Sequence, residues 1–323
     1  MTLTRRHIRP AGLLTGLLTV LALAVALVAA PASAQDPKAA AGKPAPAAPV
    51  AKIPACAVNP NGLGISRVVE IDTTAGPGFG FEHYKAYDFL QNKEVVLTFD
   101  DGPWPGTTKA VLEALASHCS KGTFFIIGKN ALDYPDILKQ VVAGGHTIGT
   151  HTFLHKDLSK LPSDKAKEEI EKGHSATKLA AGVAPSSFFR YPFLKDSPET
   201  VAYLGSRNIA MFSTDIDSFD FKFNRNPDLV VKTVMDKLEK KGKGIILMHD
   251  FHKSTATSLP KLLSELKDKG YKLVHLKSKA EVTTLADYDA EIAKSTKGFT
   301  TGTGTGQPTS SVIKTIAGDG QQN

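Results

Sequence analysis

Side chains able to bind a metal ion or transfer protons directly follow several β-rich runs of this sequence. The carboxyl ends of parallel strands meet at one edge of a sheet or barrel, and active sites gather at that edge. We therefore expect these residues to contribute to a single site. In chain order they are Asp100 and Asp101 after EVVLTF, His151 after HTIGT, Arg190 after SSFF, Asp215 and Asp217 after AMFST, and His249 and Asp250 after GIILM.

The segment HTFLH places His151 and His155 four residues apart. In one helical turn or a tight loop, that spacing lets both imidazoles reach a single ion. Surface histidines also occur at this spacing, so the motif gains weight from the Asp100-Asp101 pair at an adjoining strand end. One of these carboxylates would complete three protein ligands and leave positions for water and substrate. The sequence therefore predicts a site for one divalent metal ion.

The paired aspartates also suit acid–base chemistry, because adjacent side chains point in different directions after a strand. While one carboxylate binds the metal, the other can act as general base towards a water whose pKa the dication lowers. Arg190 is suited to hold this base through a bidentate ion pair. His249 suits a general acid, and Asp217 or Asp215 could orient it and raise its pKa. These residues predict a hydrolytic centre, although Asp-Asp-Gly-Pro is also typical of an ordinary turn.

Seven short β-rich runs alternate with six helical patterns between residues 94 and 276. This order indicates a parallel sheet with right-handed crossovers, and runs such as VVLTF and IILM indicate burial on both faces. A closed barrel and an open doubly wound sheet both fit. The strands are expected at 94–99, 123–127, 147–149, 188–190, 209–212, 244–248 and 271–275, and the helices at 108–119, 135–143, 164–181, 198–206, 227–241 and 259–269.

The composition narrows the class of protein. The 323 residues are 41% hydrophobic and 22% charged, which is typical of a globular chain. Only two cysteines occur, which excludes a cysteine-rich zinc or iron–sulfur site. In an exported protein Cys56 and Cys119 could form a disulfide, although Cys119 also fits a buried apolar position on a helix. Loss of three arginines with residues 1–34 lowers the net charge from +7 to +4, which does not indicate a nucleic-acid partner.

Both ends of the chain differ in composition from the middle. Three arginines precede an apolar run at 11–30, which ends at the small residues Ala32-Ser33-Ala34. This pattern is typical of a cleaved secretory signal, although the run is also long enough for an uncleaved membrane anchor. We expect a secreted or periplasmic protein without stable membrane insertion. The predicted organisation is a signal peptide at 1–34, an Ala/Pro-rich linker at 35–54, one folded domain at 55–290 and a flexible Thr/Gly/Ser-rich tail at 291–323.

Five short motifs resemble, in order, those of the NodB-homology polysaccharide deacetylases, carbohydrate esterase family 4. The resemblance covers about residues 93–276 and implies a distorted (β/α)7 barrel in a single NodB-homology domain. TFDDG together with HTxxH is a specific combination, and five motifs in order are more specific still. The motifs are TFDDG at 98–102, HTFLH at 151–155, RYPF at 190–193, DSFDF at 217–221 and LMH at 247–249.

The resemblance assigns the metal ligands and the base. It implies that Asp101, His151 and His155 hold the metal and that Asp100 is the catalytic base, positioned by Arg190. The ion is expected to be zinc, with cobalt or nickel as alternatives, because mixed nitrogen and oxygen ligands do not select one of these metals.

The resemblance also assigns the remaining site residues. It implies that the backbone N–H of Phe193 contributes to an oxyanion hole and that Leu247 forms an apolar wall for the acetyl methyl group. Tyr191, in the same motif as Phe193, is a further candidate substrate contact. His249 is implied to be the catalytic acid, tuned by Asp217.

One motif departs from the family pattern at its last position. Phe221 stands where the fourth motif usually has tryptophan, and the chain has a single tryptophan, Trp104. Stacking on sugars must therefore depend mainly on phenylalanine and tyrosine. Candidate rings, each of which also fits core packing, are Phe153, Tyr191, Phe219 and Phe251.

The function expected from residues and resemblance together is removal of N-acetyl groups from N-acetylglucosamine units of a polysaccharide such as chitin oligomers or peptidoglycan. An alternative with the same machinery is an O-acetyl esterase acting on a xylan-like polymer. An alternative of another class is a noncatalytic wall-polysaccharide-binding protein, which predicts loss of site residues that are all present here. A nonhaem iron oxygenase also uses two histidines and a carboxylate, but the second aspartate, the arginine and the strand-end histidine argue against it.

Overall fold

A computed structural model describes residues 59–223 and 226–296. The predicted signal peptide, the linker, Cys56 and residues 297–323 of the predicted tail lie outside this part of the chain. Cys119 is disulfide-bonded, whereas its predicted partner Cys56 is outside the described residues. No helix within 59–223 or 226–296 combines the length and apolar character needed to cross a bilayer.

The strands predicted from sequence are all present, and every ladder between strands is parallel. The strands are β1 Arg67–Ile71, β2 Gly78–Phe79, β3 Glu94–Asp100, β4 Thr123–Ile126, β5 Thr147–Thr150, β6 Phe188–Phe189, β7 Ala210–Phe212, β8 Ile216–Asp217, β9 Gly244–His249 and β10 Lys272–Ser278. The helices are α1 Thr107–Ser117, α2 Gly128–Asp133, α3 Pro135–Ala143, α4 Ser163–Ala181, α5 Pro198–Ser206, α6 Pro227–Lys241, α7 Lys253–Asp268 and α8 Ala286–Thr296.

The seven strands from β3 to β9 follow one another around the barrel, with ladders between all described neighbours except β7 and β8. β3 pairs with β4 on one side and β9 on the other, and the ladder continues from β4 through β5 and β6 to β7. β8 pairs with β9, and the chain joins β7 to β8 through residues 213–215. This confirms the distorted (β/α)7 barrel. The predicted strand at 271–275 exists as β10, which pairs with β3 and β1, and the seventh strand of the series is the unpredicted β8.

The barrel is held together by apolar side chains on both faces of its strands, as the near-continuous apolar runs predicted. All seven residues of β3 are buried. Phe99 of β3 stacks on Phe124 of β4 with ring centroids 4.9 Å apart, and the leucines of α7 pack against the same cluster. Full burial of such a side chain stabilises the fold by about 1.5–3 kcal/mol. The buried frame fixes the strand ends from which the polar residues project.

Two helices were not predicted, and one changes a domain boundary. α2 follows β4 closely, and α8, Ala286–Thr296, includes residues 291–296 of the predicted flexible tail. Ile292 is buried, and Lys178 and Lys172 of α4 form ion pairs with Asp289 and Glu291 at 2.9 and 2.7 Å. The apolar contact and the ion pairs dock α8 on α4, so the predicted start of the tail is wrong.

Candidate active site

The two adjacent aspartates separate where β3 ends. Asp100 is the last residue of the strand, whereas Asp101 has a left-handed backbone with φ 74°, and a cis Gly102–Pro103 peptide bond follows. The turn directs the two carboxylates to different partners. Asp100 faces Arg190, and Asp101 faces the histidines of the loop after β5.

Three side chains converge on one point, as the sequence predicted. Oδ1 of Asp101 lies 3.4 Å from Nε2 of His151 and 3.3 Å from Nε2 of His155. One potential ligand atom from each residue lies within 4.8 Å of the others. Metal bonds of about 2.0–2.2 Å from a common ion produce separations of this size. Oδ1 of Asp101 is buried and has no hydrogen-bond partner, so the donor set fits a divalent cation.

A hydrogen bond orients His151, and burial favours the neutral form of His155. Nδ1 of His151 donates to the carbonyl of Arg190 at 2.7 Å, which leaves Nε2 facing Asp101. Burial lowers the pKa of His155 to about 4, and the neighbouring His151 acts in the same direction. Burial alone would raise the pKa of Asp101, but the surrounding histidines, led by His151, hold it well below its ordinary value. Near neutral pH, His155 therefore offers a nitrogen lone pair to a cation, and Asp101 offers a negative charge.

The candidate base is held by a fully buried arginine. Nη1 of Arg190 donates to Oδ1 of Asp100 at 2.7 Å and to Oγ1 of Thr98 at 2.8 Å. The other guanidinium nitrogens bind the carbonyls of Phe212 and Ser213. Because those donors are already used, Arg190 contacts the carboxylate through one nitrogen, and the predicted bidentate ion pair is wrong. The arginine nevertheless fixes the orientation of Asp100.

The carboxylate that holds the candidate acid is Asp220, which sequence reasoning missed. Nδ1 of His249 donates to Oδ1 of Asp220 at 2.8 Å, and Oδ2 of Asp220 accepts from the backbone N–H of His249 at 2.6 Å. Burial lowers the pKa of His249, but the hydrogen bond and charge of Asp220 outweigh burial and raise the pKa to about 9. A protonated imidazole therefore faces the cavity at neutral pH.

The predicted partners of His249 bind backbone groups instead. Oδ1 of Asp217 accepts from the N–H of Phe219 at 2.8 Å. Asp215 accepts from the N–H groups of Phe81 and Ile245 at 2.6 and 2.7 Å. His249 therefore pairs with neither Asp217 nor Asp215, and the predicted pairing is wrong. The sequence did contain a signal for the true partner, because Asp220 is the second acid of the DSFDF motif, three residues after Asp217.

The site opens into a cavity of about 420 Å³. Phe193 and Phe221 are 59% and 43% exposed, so their rings are accessible at its rim, whereas Tyr191 is almost fully buried. Of the four candidate stacking rings, only Tyr191 lines this cavity. Leu194 and His252 also line it, although neither was proposed from the sequence. The lining residues are Asp100, Asp101, His151, His155, Tyr191, Phe193, Leu194, Asp217, Phe221, Leu247, His249 and His252.

A second cavity of about 360 Å³ adjoins the first and shares Asp217 and Leu194 with it. Lys237 and Phe219 are on its wall, and Nζ of Lys237 lies 3.8 Å from the centre of the Phe219 ring. The arrangement can accommodate an extended polar ligand that passes over the site.

Comparison with known proteins agrees with this geometry. The polysaccharide deacetylase family model matches residues 90–211. A peptidoglycan-N-acetylglucosamine deacetylase of Bacillus cereus is 32% identical over 207 residues, which are 62% of this chain and 74% of that protein. The chain belongs to the polysaccharide deacetylase family.

Two further members illustrate how far the similarity extends. Peptidoglycan-N-acetylglucosamine deacetylase PgdA of Listeria monocytogenes is 33% identical over 57% of this chain but only 38% of its own length. The structure of Bdellovibrio bacteriovorus peptidoglycan deacetylase Bd3279 has a TM-score of 0.60 at 32% identity, covering 66% of this chain and 59% of that one. The similarity therefore spans less than two thirds of the length of each of these two proteins.

Proposed function

We propose that this polysaccharide deacetylase family member is a metal-dependent hydrolase. It removes N-acetyl groups from N-acetylglucosamine units of a chitin-oligomer or peptidoglycan type of polysaccharide. The observation that carries the proposal is that Nε2 of His151 and Nε2 of His155 lie 3.4 and 3.3 Å from Oδ1 of Asp101, a buried oxygen without a hydrogen-bond partner. Asp100, restrained by Arg190, and His249, whose pKa Asp220 raises, line the same cavity.

Each residue then has a step in amide hydrolysis. A dication held by Asp101, His151 and His155, with zinc as the first candidate and cobalt or nickel as alternatives, would polarise the acetyl carbonyl and acidify the attacking water. Asp100 accepts the proton of that water, and Arg190 keeps its carboxylate in place. General-base assistance of this kind contributes about 10²–10⁴-fold to a rate.

Three further residues bind the acetyl group or protonate the leaving amine. The backbone N–H of Phe193 donates to the oxygen that becomes negative, and Leu247 accommodates the acetyl methyl group. His249 gives its proton to the sugar nitrogen as the C–N bond breaks, which releases acetate and an amine. The adjoining cavity gives space for a neighbouring sugar of the chain. The N-terminal signal pattern at residues 1–34 supports action in the periplasm or outside the cell.

Removal of the metal tests the function directly. Chelation of the purified protein is expected to abolish acetate release, and added zinc or cobalt is expected to restore it, without any oxygen requirement. Acetate should be measured with chitin oligomers, peptidoglycan and acetylxylan. Restored activity on acetylxylan alone would favour the O-acetyl esterase, and full activity after verified metal loss would contradict the proposal.

The role of Asp220 can be tested through the pH profile. Because Asp220 raises the pKa of His249, Asp220→Asn should lower that pKa and move the alkaline limb of kcat/KM to lower pH. We also expect the rate at neutral pH to fall, by less than the about 10²–10⁴-fold that a general acid contributes as a whole, because His249 itself remains. Asp217→Asn is the matched control, since Asp217 is in the same motif but binds a backbone N–H. A shift of the limb in Asp217→Asn and not in Asp220→Asn would contradict the assignment.

A further inference from the structure

Asp250 is a buried carboxyl group to which the mechanism above gives no role. It directly follows His249, and its side chain is fully buried. Oγ1 of Thr108 donates to its Oδ2 at 2.5 Å, whereas Oδ1 is buried without a hydrogen-bond partner. Burying a carboxyl group with an unsatisfied oxygen costs folding free energy and calls for an explanation.

The carboxyl group lies against the turn that carries Asp101. A Cβ atom on Gly102 would be 2.1 Å from Oδ2 and 2.4 Å from Oδ1 of Asp250, which leaves room only for glycine. The backbone N–H of Asp250 also donates to the carbonyl of Asp100 at 3.3 Å. Asp250 therefore contacts the chain on both sides of Asp101.

A second connection reaches the far end of the same loop. The hydroxyl of Thr108 that binds Asp250 also accepts from the N–H of Trp104 at 2.7 Å. One carboxyl group thus restrains the loop at Gly102 directly and at Trp104 through Thr108. This restraint is needed because Asp101 has a left-handed backbone, which residues other than glycine rarely adopt.

We propose that Asp250 is a positioning residue for the metal ligand Asp101, holding the turn at Gly102 so that Oδ1 faces the two histidines. It also links this turn to β9, the strand that ends at His249. The inference rests on the proposed function, because it assumes that the three-residue cluster binds a dication. Residues of this kind that support a ligand typically change metal affinity by about 10–100-fold when removed.

Zinc affinity in the absence of substrate tests the role of Asp250. Asp250→Ala is expected to weaken zinc binding by about 10–100-fold, measured by competition with a chromophoric chelator. Asp250→Asn should keep more of the affinity than Asp250→Ala, because its amide oxygen can still accept from Thr108 and its side chain still fills the space beside Gly102. Equal zinc affinity in Asp250→Ala and wild type would overturn the proposal.

A double-mutant cycle tests the contact with Gly102. Gly102→Ala should weaken zinc binding in the wild-type background, because the new Cβ collides with the carboxyl group. In the Asp250→Ala background the same change should cost much less, since the colliding atoms are gone. Additive losses would show that the two residues act independently and would contradict the proposed contact.

A destabilised control separates positioning from general folding. Glu171 is a fully buried acid outside the cavity, bound to Tyr203 and Arg207. Glu171→Ala should lower the melting temperature without changing the zinc affinity of the folded protein. If Asp250→Ala loses affinity only as far as it is unfolded, the proposal is wrong. Failure of the wild type to bind zinc would instead overturn the proposed function together with this inference.

Discussion

Replacement of Asp100 by asparagine is expected to reduce acetate release by about 10²–10⁴-fold, the usual contribution of a general base. An amide has nearly the same shape as a carboxylate but cannot accept the proton of the attacking water. Its oxygen can still accept from Arg190, so the buried guanidinium keeps a partner. The effect should therefore appear in kcat rather than in the folded structure.

The metal content of the Asp100→Asn variant distinguishes the two adjacent aspartates. Because Oδ1 of Asp101, not Asp100, is the atom nearest both His151 and His155, zinc should remain bound in this variant. Zinc is measured by elemental analysis after dialysis, and acetate release on the same sample. Loss of zinc would mean that the roles of the two aspartates are reversed.

Replacement of Asp101 by asparagine should have the opposite pattern, with loss of both metal and activity. The substitution removes the only negative charge of the proposed ligand set, and we expect zinc affinity to fall by at least about 100-fold, beyond the effect of supporting residues. Wild-type protein with zinc at 100 times its Kd should gain about 2.7 kcal/mol in free energy of unfolding. Asp101→Asn should show almost none of this gain in a thermal-unfolding measurement.

A matched variant controls for the loss of one acid from the cavity. Asp217 also lines the cavity, but its carboxylate binds the N–H of Phe219 and lies outside the three-residue cluster. Asp217→Asn should therefore keep the stabilisation by zinc. Equal loss in both variants would indicate a general electrostatic effect rather than coordination by Asp101.

Much of the site could be predicted because it depends on strand order. Parallel strands place their carboxyl ends at one edge, so Asp100, Asp101, His151 and His249 had to be neighbours once the βα alternation was recognised. The apolar runs also located every predicted strand to within a few residues. These features are local in sequence or follow from simple periodicity.

The sequence offered two acids of DSFDF as partners of His249, and the choice between them could not be predicted because it depends on the path of a turn. Phe219 has a left-handed backbone, φ 54°, and a short 3-10 turn at Asp220–Lys222 follows. This path directs Asp220 towards His249 and leaves Asp217 against its own loop. The spacing in DSFDF does not indicate which acid faces inward, since both precede the same turn.

The elements missed at the edges of the barrel have a similar explanation. β1 is an alternating strand of five residues that is ordered by pairing with β10, more than 200 positions away in sequence. α8 has one deeply buried apolar residue, Ile292, and depends on its ion pairs with α4. Weakly amphipathic segments of this kind gain their structure from distant partners, which periodicity does not reveal.

The most direct test of the account is a crystal structure of the zinc-loaded protein with anomalous data at the zinc edge. We expect one strong peak about 2.0–2.2 Å from Oδ1 of Asp101 and from Nε2 of both His151 and His155. Asp100 should remain on Arg190, and His249 on Asp220, at opposite sides of the ion. A zinc peak elsewhere, or one that lacks Asp101 among its ligands, would contradict the proposed centre.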